Sequence, residues 1–118
     1  MDSRLHYRLV DILDALDQLE LLLDPLTFDD FVSDRVKRAA CERFLEIASE
    51  ATRHIPQAHK EQHPGIPWKQ IADMGNHLRH AYHAIDPEIL WQIHSQRELG
   101  SLARAARAIL RANEASGT

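Results

Sequence analysis

Residues 4–24 read RLHYRLVDILDALDQLELLLD, and the spacing of their apolar side chains decides the fold class. Leu5, Leu9, Ile12, Leu16, Leu19 and Leu23 recur at alternating steps of four and three. That period lays them along one stripe of an α-helix. Leu13, Leu21 and Leu22 widen the stripe, while Asp11, Asp14, Asp17 and Glu20 supply polar positions. Asp24-Pro25 stops the helix, because a residue before proline is pushed out of the α region. So wide an apolar face predicts contact with more than one neighbour, a second subunit among the candidates.

Helical spacing continues outward from this segment. Thr27-Phe28-Asp29-Asp30 has the form of an N-cap followed by an acid three residues later. A long second helix is expected from there to Ile55-Pro56, with Val36, Ala40, Phe44, Ile47, Ala51 and Ile55 on its apolar face. Pro56, Pro64, Gly65 and Pro67 make 56–67 a loop. A third helix starts at Pro67-Trp68, with proline in its favoured first turn, and runs to about Tyr82. Asp86-Pro87-Glu88 starts a short fourth helix. A fifth covers roughly 97–113, with Leu99, Leu102, Ala106 and Ile109 inward, and the tail 113–118 is expected to fray. No alternating strand pattern and no internal repeat interrupts this order. The expectation is all-α: one domain, 1–118, a compact bundle of about five helices.

Composition fits that picture. A chain of 118 residues builds one core, and 44% hydrophobic with 27% charged residues is a globular balance. The net charge of −4 argues against a strong nonspecific nucleic-acid binder, so RNA would need a local basic patch. With one cysteine, Cys41, no internal disulfide can form and no multi-cysteine zinc site can be built. Its helical neighbours are apolar, which makes an inert thiol the expectation. The N-terminus lacks the basic-then-apolar pattern of a signal peptide, and no apolar run reaches the ~20 residues of a membrane span. A cytoplasmic protein with no membrane association is expected.

Chemistry concentrates in residues 73–83, DMGNHLRHAYH. On an unbroken helix Ile71, Met74, Leu78 and Ile85 define the buried side, and a turn of ~100° per residue puts Asp73, Asn76, His77, His80 and His83 opposite. Imidazoles fill a face where Lys and Glu would be usual. A solvated face is the plain reading, and three others fit. His80 can act as a general acid–base in RNA cleavage, which needs a group to take the 2′-OH proton, one to protonate the leaving oxygen, and a cation for the phosphorane. Asp73, His77 and His80 can hold a metal, since their steps of four and three share one face. Or the histidines pack against a partner helix. His59 and His63 lie in the proline-flanked loop, where their spacing carries little. Arg104, Arg107 and Arg111 form a basic stripe that solvent or an acidic partner would satisfy. Glu50 sits near an apolar face as a satisfied carboxylate that can also orient site residues. Trp68 and Trp91 read as core anchors.

Five blocks follow one another along the chain: 28–34, Phe28-Asp29-Asp30-Phe31-Val32-Ser33-Asp34; Ile47-Ala48-Ser49-Glu50-Ala51; Ile66-Pro67-Trp68; Asn76-His77-Leu78-Arg79-His80-Ala81-Tyr82; then Ile85-Asp86 with Leu90-Trp91. Taken in this order, the chain resembles the HepT-like family of the HEPN superfamily, with Ser49 where the family has glycine. The resemblance implies a helical bundle that pairs as a homodimer. It implies the toxin of a toxin–antitoxin system, an RNase without a metal or other cofactor that uses an Arg-x4-His motif in two copies near the dimer interface. It implies a partner, an MntA-like nucleotidyltransferase antitoxin that silences the toxin by adding AMP to the tyrosine two residues after the motif histidine. By position these are His80 and Tyr82. The motif arginine would stand at 75, where this chain has Gly75. Arg79 lies one turn further along, and a shift of ~5.4 Å is large for catalytic geometry. Three alternatives follow: Arg79 substitutes with Asn76 beside it; His77 or His83, with Asp73 and Glu50 as auxiliaries, joins a rearranged site; or catalysis is lost and a binding module for the nucleotidyltransferase remains.

Overall fold

The computed structural model describes residues 1–80, 85–96 and 98–116. Among them the chain forms α1 (Ser3–Leu23), α2 (Phe28–Ser33), α3 (Arg35–Thr52), α4 (Gln57–Glu61), α5 (Trp68–Arg79), α6 (Pro87–Ser95) and α7 (Glu98–Ala115), with no strand. All six residues of the first apolar stripe are buried. Leu13 and Leu22 are half-buried and Leu21 faces solvent, so the stripe is narrower than its leucine count suggests. The Asp2 carboxylate caps α1 by accepting the N–H groups of Arg4 at 3.0 Å and Leu5 at 3.2 Å.

The expected second helix divides in two. Thr27 and Asp30 form a reciprocal capping box at the start of α2. Asp34 then leaves the helical region, at φ −106° and ψ 97°, and its carboxylate accepts the N–H of Lys37 at 3.0 Å to cap α3. A short acidic side chain that competes for backbone donors supplies the break. The buried face of α3 is also rotated from the expected one. Val36 is 78% exposed, and Cys41, Leu45, Ala48, Ser49 and Thr52 turn inward together with Ala51. Large apolar residues suggested one face, but α3 is gripped on two sides, and small residues are what allow both neighbours to approach.

α3 lies between α1 and α5, while α1 also packs along α7 and α6 bridges α2 and α7. Trp91 anchors α6, its ring centroid 5.4 Å from that of buried Phe31. Asn113, placed by the sequence at the head of a frayed tail, is buried within α7. Its amide donates to the Asp2 carbonyl at 2.9 Å and its Oδ1 accepts the Asp2 N–H at 3.1 Å, tying the last helix to the first. The 56–67 loop contains α4. α5 ends at Arg79, with His80 as its cap residue at φ −104° and ψ 10°, while Tyr82, the end expected from sequence, lies outside the described residues. No helix among the described residues is long and apolar enough to cross a membrane.

Cys41 is fully buried in this core. Burial, with a smaller push from Glu42, raises its thiol pKa to about 12. The thiol of the native protein should react with Ellman's reagent at pH 8 at least about a hundredfold more slowly than in denaturant, because only the thiolate attacks. Comparable rates in stopped-flow absorbance would mean that α3 opens readily.

Candidate functional site

The site is built on the crossing of α3 and α5. Gly75 is the buried residue of α5, while Ile71, Met74 and Leu78, expected as its buried side, are half-buried. A Cβ placed on Gly75 would come 2.5 Å from the Ser49 Cβ and 3.4 Å from its Oγ, with the Ser49 carbonyl carbon next at 3.7 Å. No real pair of carbons sits that close, and a Cβ cannot swing aside without moving its helix. The absence of a side chain at 75 therefore sets how near α5 lies to α3. Ser49 is fully buried, and its Oγ has no hydrogen-bond partner among the described residues. Such an unmet hydroxyl costs about 1–3 kcal/mol.

One residue after Ser49, Glu50 reaches out of the crossing and gathers basic side chains. Its Oε2 accepts from Arg79 Nη1 at 3.2 Å and from Arg53 Nη1 at 3.4 Å, and its Oε1 lies 3.4 Å from His54 Nε2. Arg79 Nη2 donates to Asn76 Oδ1 at 2.9 Å. Arg79 is thus held from both helices, by Glu50 of α3 and Asn76 of α5. Slight burial pushes the Glu50 pKa up, but the His54 hydrogen bond and the charges of Arg53 and Arg79 outweigh it, and the carboxyl sits below the usual range. The cluster is anionic at its centre and cationic around it at neutral pH.

His80 follows directly at the end of α5, its N–H donating to the Asn76 carbonyl at 3.2 Å. Its side chain and that of His77 are exposed, and neither makes a hydrogen bond or ion pair with a described residue. Asp73 is drawn away to Lys69, at 2.7 Å. Among the described residues no group of three or more His, Cys, Asp and Glu side chains is placed to hold a metal, the Asp73–His77–His80 set included. Tyr82 and His83 lie outside the described residues. The structure therefore brings Glu50, Asn76 and Arg79 together, Arg79 being the residue before His80 in the chain, and leaves Asp73 apart. The sequence reading missed Arg53 and His54 as partners of Glu50. Their positions three and four residues beyond it, one helical turn on, were the available signal.

The chain is similar to known proteins along most of its length. The profile described as "Ribonuclease HepT-like" matches residues 12–109. "Probable ribonuclease HepT" of Thermococcus cleftensis is 39% identical over 84 residues, 71% of this chain and 76% of that protein. A "Putative RNase" of Caldanaerobacter subterraneus subsp. tengcongensis is 35% identical over 98 residues, 80% of this chain and 87% of that protein. No solved structure matches. The chain belongs to the HepT-like ribonuclease family. Against the pattern that the resemblance implies, glycine at 49 and arginine at 75, this chain has Ser49 and Gly75.

The contact of Ser49 with Gly75 makes a packing prediction. Gly75→Ala should destabilise the protein by about 1–3 kcal/mol through overpacking, despite the better helix propensity of alanine. The pair Ser49→Gly with Gly75→Ala should recover most of that stability, because only the backbone carbon at 3.7 Å then faces the new methyl. Urea unfolding of both single variants and the double closes the cycle. Simple additivity would show that the two positions do not meet.

Proposed function

We propose that this protein is a HepT-like toxin, an endoribonuclease that needs no metal and uses His80 as its general acid–base, with Arg79 as the cation in place of the motif arginine. The observation that supports this reading is the clamp on Arg79: Glu50 at 3.2 Å and Asn76 at 2.9 Å hold the guanidinium of the residue that precedes His80 in the chain. In the reaction the RNA 2′-oxygen forms a bond to phosphorus as the bond from phosphorus to the 5′-oxygen breaks. One imidazole takes the 2′-OH proton and another protonates the 5′-oxygen, while a guanidinium stabilises the charge on the phosphorane. A homodimer would bring two copies of His80 to that task. In this reading Glu50 and Asn76 are positioning residues, His77 and His83 are candidate auxiliaries, and Tyr82 receives AMP from a partner MntA-like nucleotidyltransferase that silences the toxin.

A second reading is favoured by Gly75 itself. Its place in the helix crossing leaves no side chain where the motif arginine belongs, and Arg79 is already paired with Glu50. On this reading the chain is a binding module for the nucleotidyltransferase and has no catalytic chemistry of its own.

Cleavage of RNA in EDTA separates the two. On the first reading the wild type, shown free of AMP by intact mass, cleaves; His80→Ala loses about 10²–10⁴-fold in kcat, the usual range for a general acid–base, and Arg79→Ala also falls sharply. A folded, AMP-free wild type without activity, together with a Ser49→Gly/Gly75→Arg variant that cleaves, establishes the binding module. That double variant is the informative one, since Gly75→Arg alone would drive a Cβ into Ser49.

A further inference from the structure

A cleft of about 630 Å³ opens beside the cluster, between the end of α3, α4 and the start of α5. Arg53, Lys60 and Lys69 line it against one lining carboxylate, Glu61, with Gln57 and Trp68 completing the wall. In a chain of net charge −4 this is a local reversal of sign. Lys69 is paired with Asp73 and Arg53 with Glu50, but Lys60 has no carboxylate partner among the described residues. Its Nζ lies 5.9 Å from the centroid of the Trp68 ring. The indole is itself oriented by its N–H, which donates to the His63 carbonyl at 3.1 Å. Partial burial lowers the Lys60 pKa, the mark of a cation short of compensation.

We propose that this cleft binds the sugar–phosphate backbone of single-stranded RNA beside the position that is cleaved. The inference rests on the RNase reading of the adjacent cluster and adds a binding site outside it. Cations that follow a strand, with an aromatic wall for a base or sugar, are the usual composition of single-strand grooves. Lys60 supplies the charge that no carboxylate among the described residues neutralises, and Gln57 an amide that can hydrogen-bond a sugar or base edge. The cleft is also continuous with the candidate site: Arg53, on its wall, and Arg79 meet on the same oxygen of Glu50. A strand lying in the cleft is therefore led toward Arg79. An acidic protein segment would satisfy the cations but would make no use of the aromatic wall.

The test is fluorescence anisotropy with a labelled 2′-O-methyl RNA oligomer, which lacks the attacking hydroxyl and so cannot be cut. The wild type should bind it, and Lys60→Glu should raise Kd by about tenfold and make the salt dependence shallower by ~0.7, since one phosphate is no longer neutralised. Lys60→Gln should lie between, and it replaces the reversal variant if that one fails to give a native melting curve. On cleavable RNA, Lys60→Glu should raise KM and leave kcat in place, with cleavage of a dinucleoside monophosphate too short to reach the cleft unchanged. Lys60-dependent oligomer binding by a wild type that cuts no RNA would sink the RNase reading and leave the cleft standing. Equal Kd and salt slope in wild type and variant would overturn the proposal. So would capture of a polyglutamate peptide that depends on Lys60 while the RNA oligomer fails to bind.

Discussion

The close approach of α3 to α5, at Ser49 and Gly75, is the constraint on which the rest of the site depends. α5 has its main support in α3, so the depth of that one crossing sets the position of every side chain on α5. With no Cβ at 75, the two helices approach until the Ser49 side chain fills the space a methyl would need. Close approach brings Glu50 within reach of Arg79, which spans the crossing 29 residues away in the chain. The same geometry buries a hydroxyl that finds no partner among the described residues. Packing at the crossing offsets that local cost.

The crossing that keeps position 75 without a side chain also buries Ser49. The nearest guanidinium further along α5 stands one turn on. Arg79 occupies that turn, and its side chain is held at both terminal nitrogens by groups from two helices. A charge held in place needs less reorganisation when negative charge develops near it, which is the physical requirement for stabilising a phosphorane. The Glu50 carboxylate that holds it also partly neutralises it. The balance between those effects is what separates an active enzyme from a binding module.

Much of the architecture was legible in the residues alone. The four-and-three spacing of Leu5, Leu9, Ile12, Leu16, Leu19 and Leu23 marked the buried face of α1 without error, because a single helix and its period decide it. The caps at Thr27 and Asp86 marked two helix starts for the same local reason. The break at Asp34 and the rotation of the α3 face were not legible. Both depend on which neighbours grip the helix, and apolar periodicity cannot weigh Val36 against Ser49 when the favoured partner is another helix.

Family and dense polar segment also came from sequence, since motif order and spacing are properties of the chain. What only the tertiary structure decided is the meaning of Gly75 and the company that Glu50 keeps. A glycine within a helix looks in sequence like a missing side chain and a weakened turn. In the fold it is the meeting point of two helices, and the reason lies in a residue 26 positions earlier in the chain, Ser49, whose distance from Gly75 no local pattern encodes.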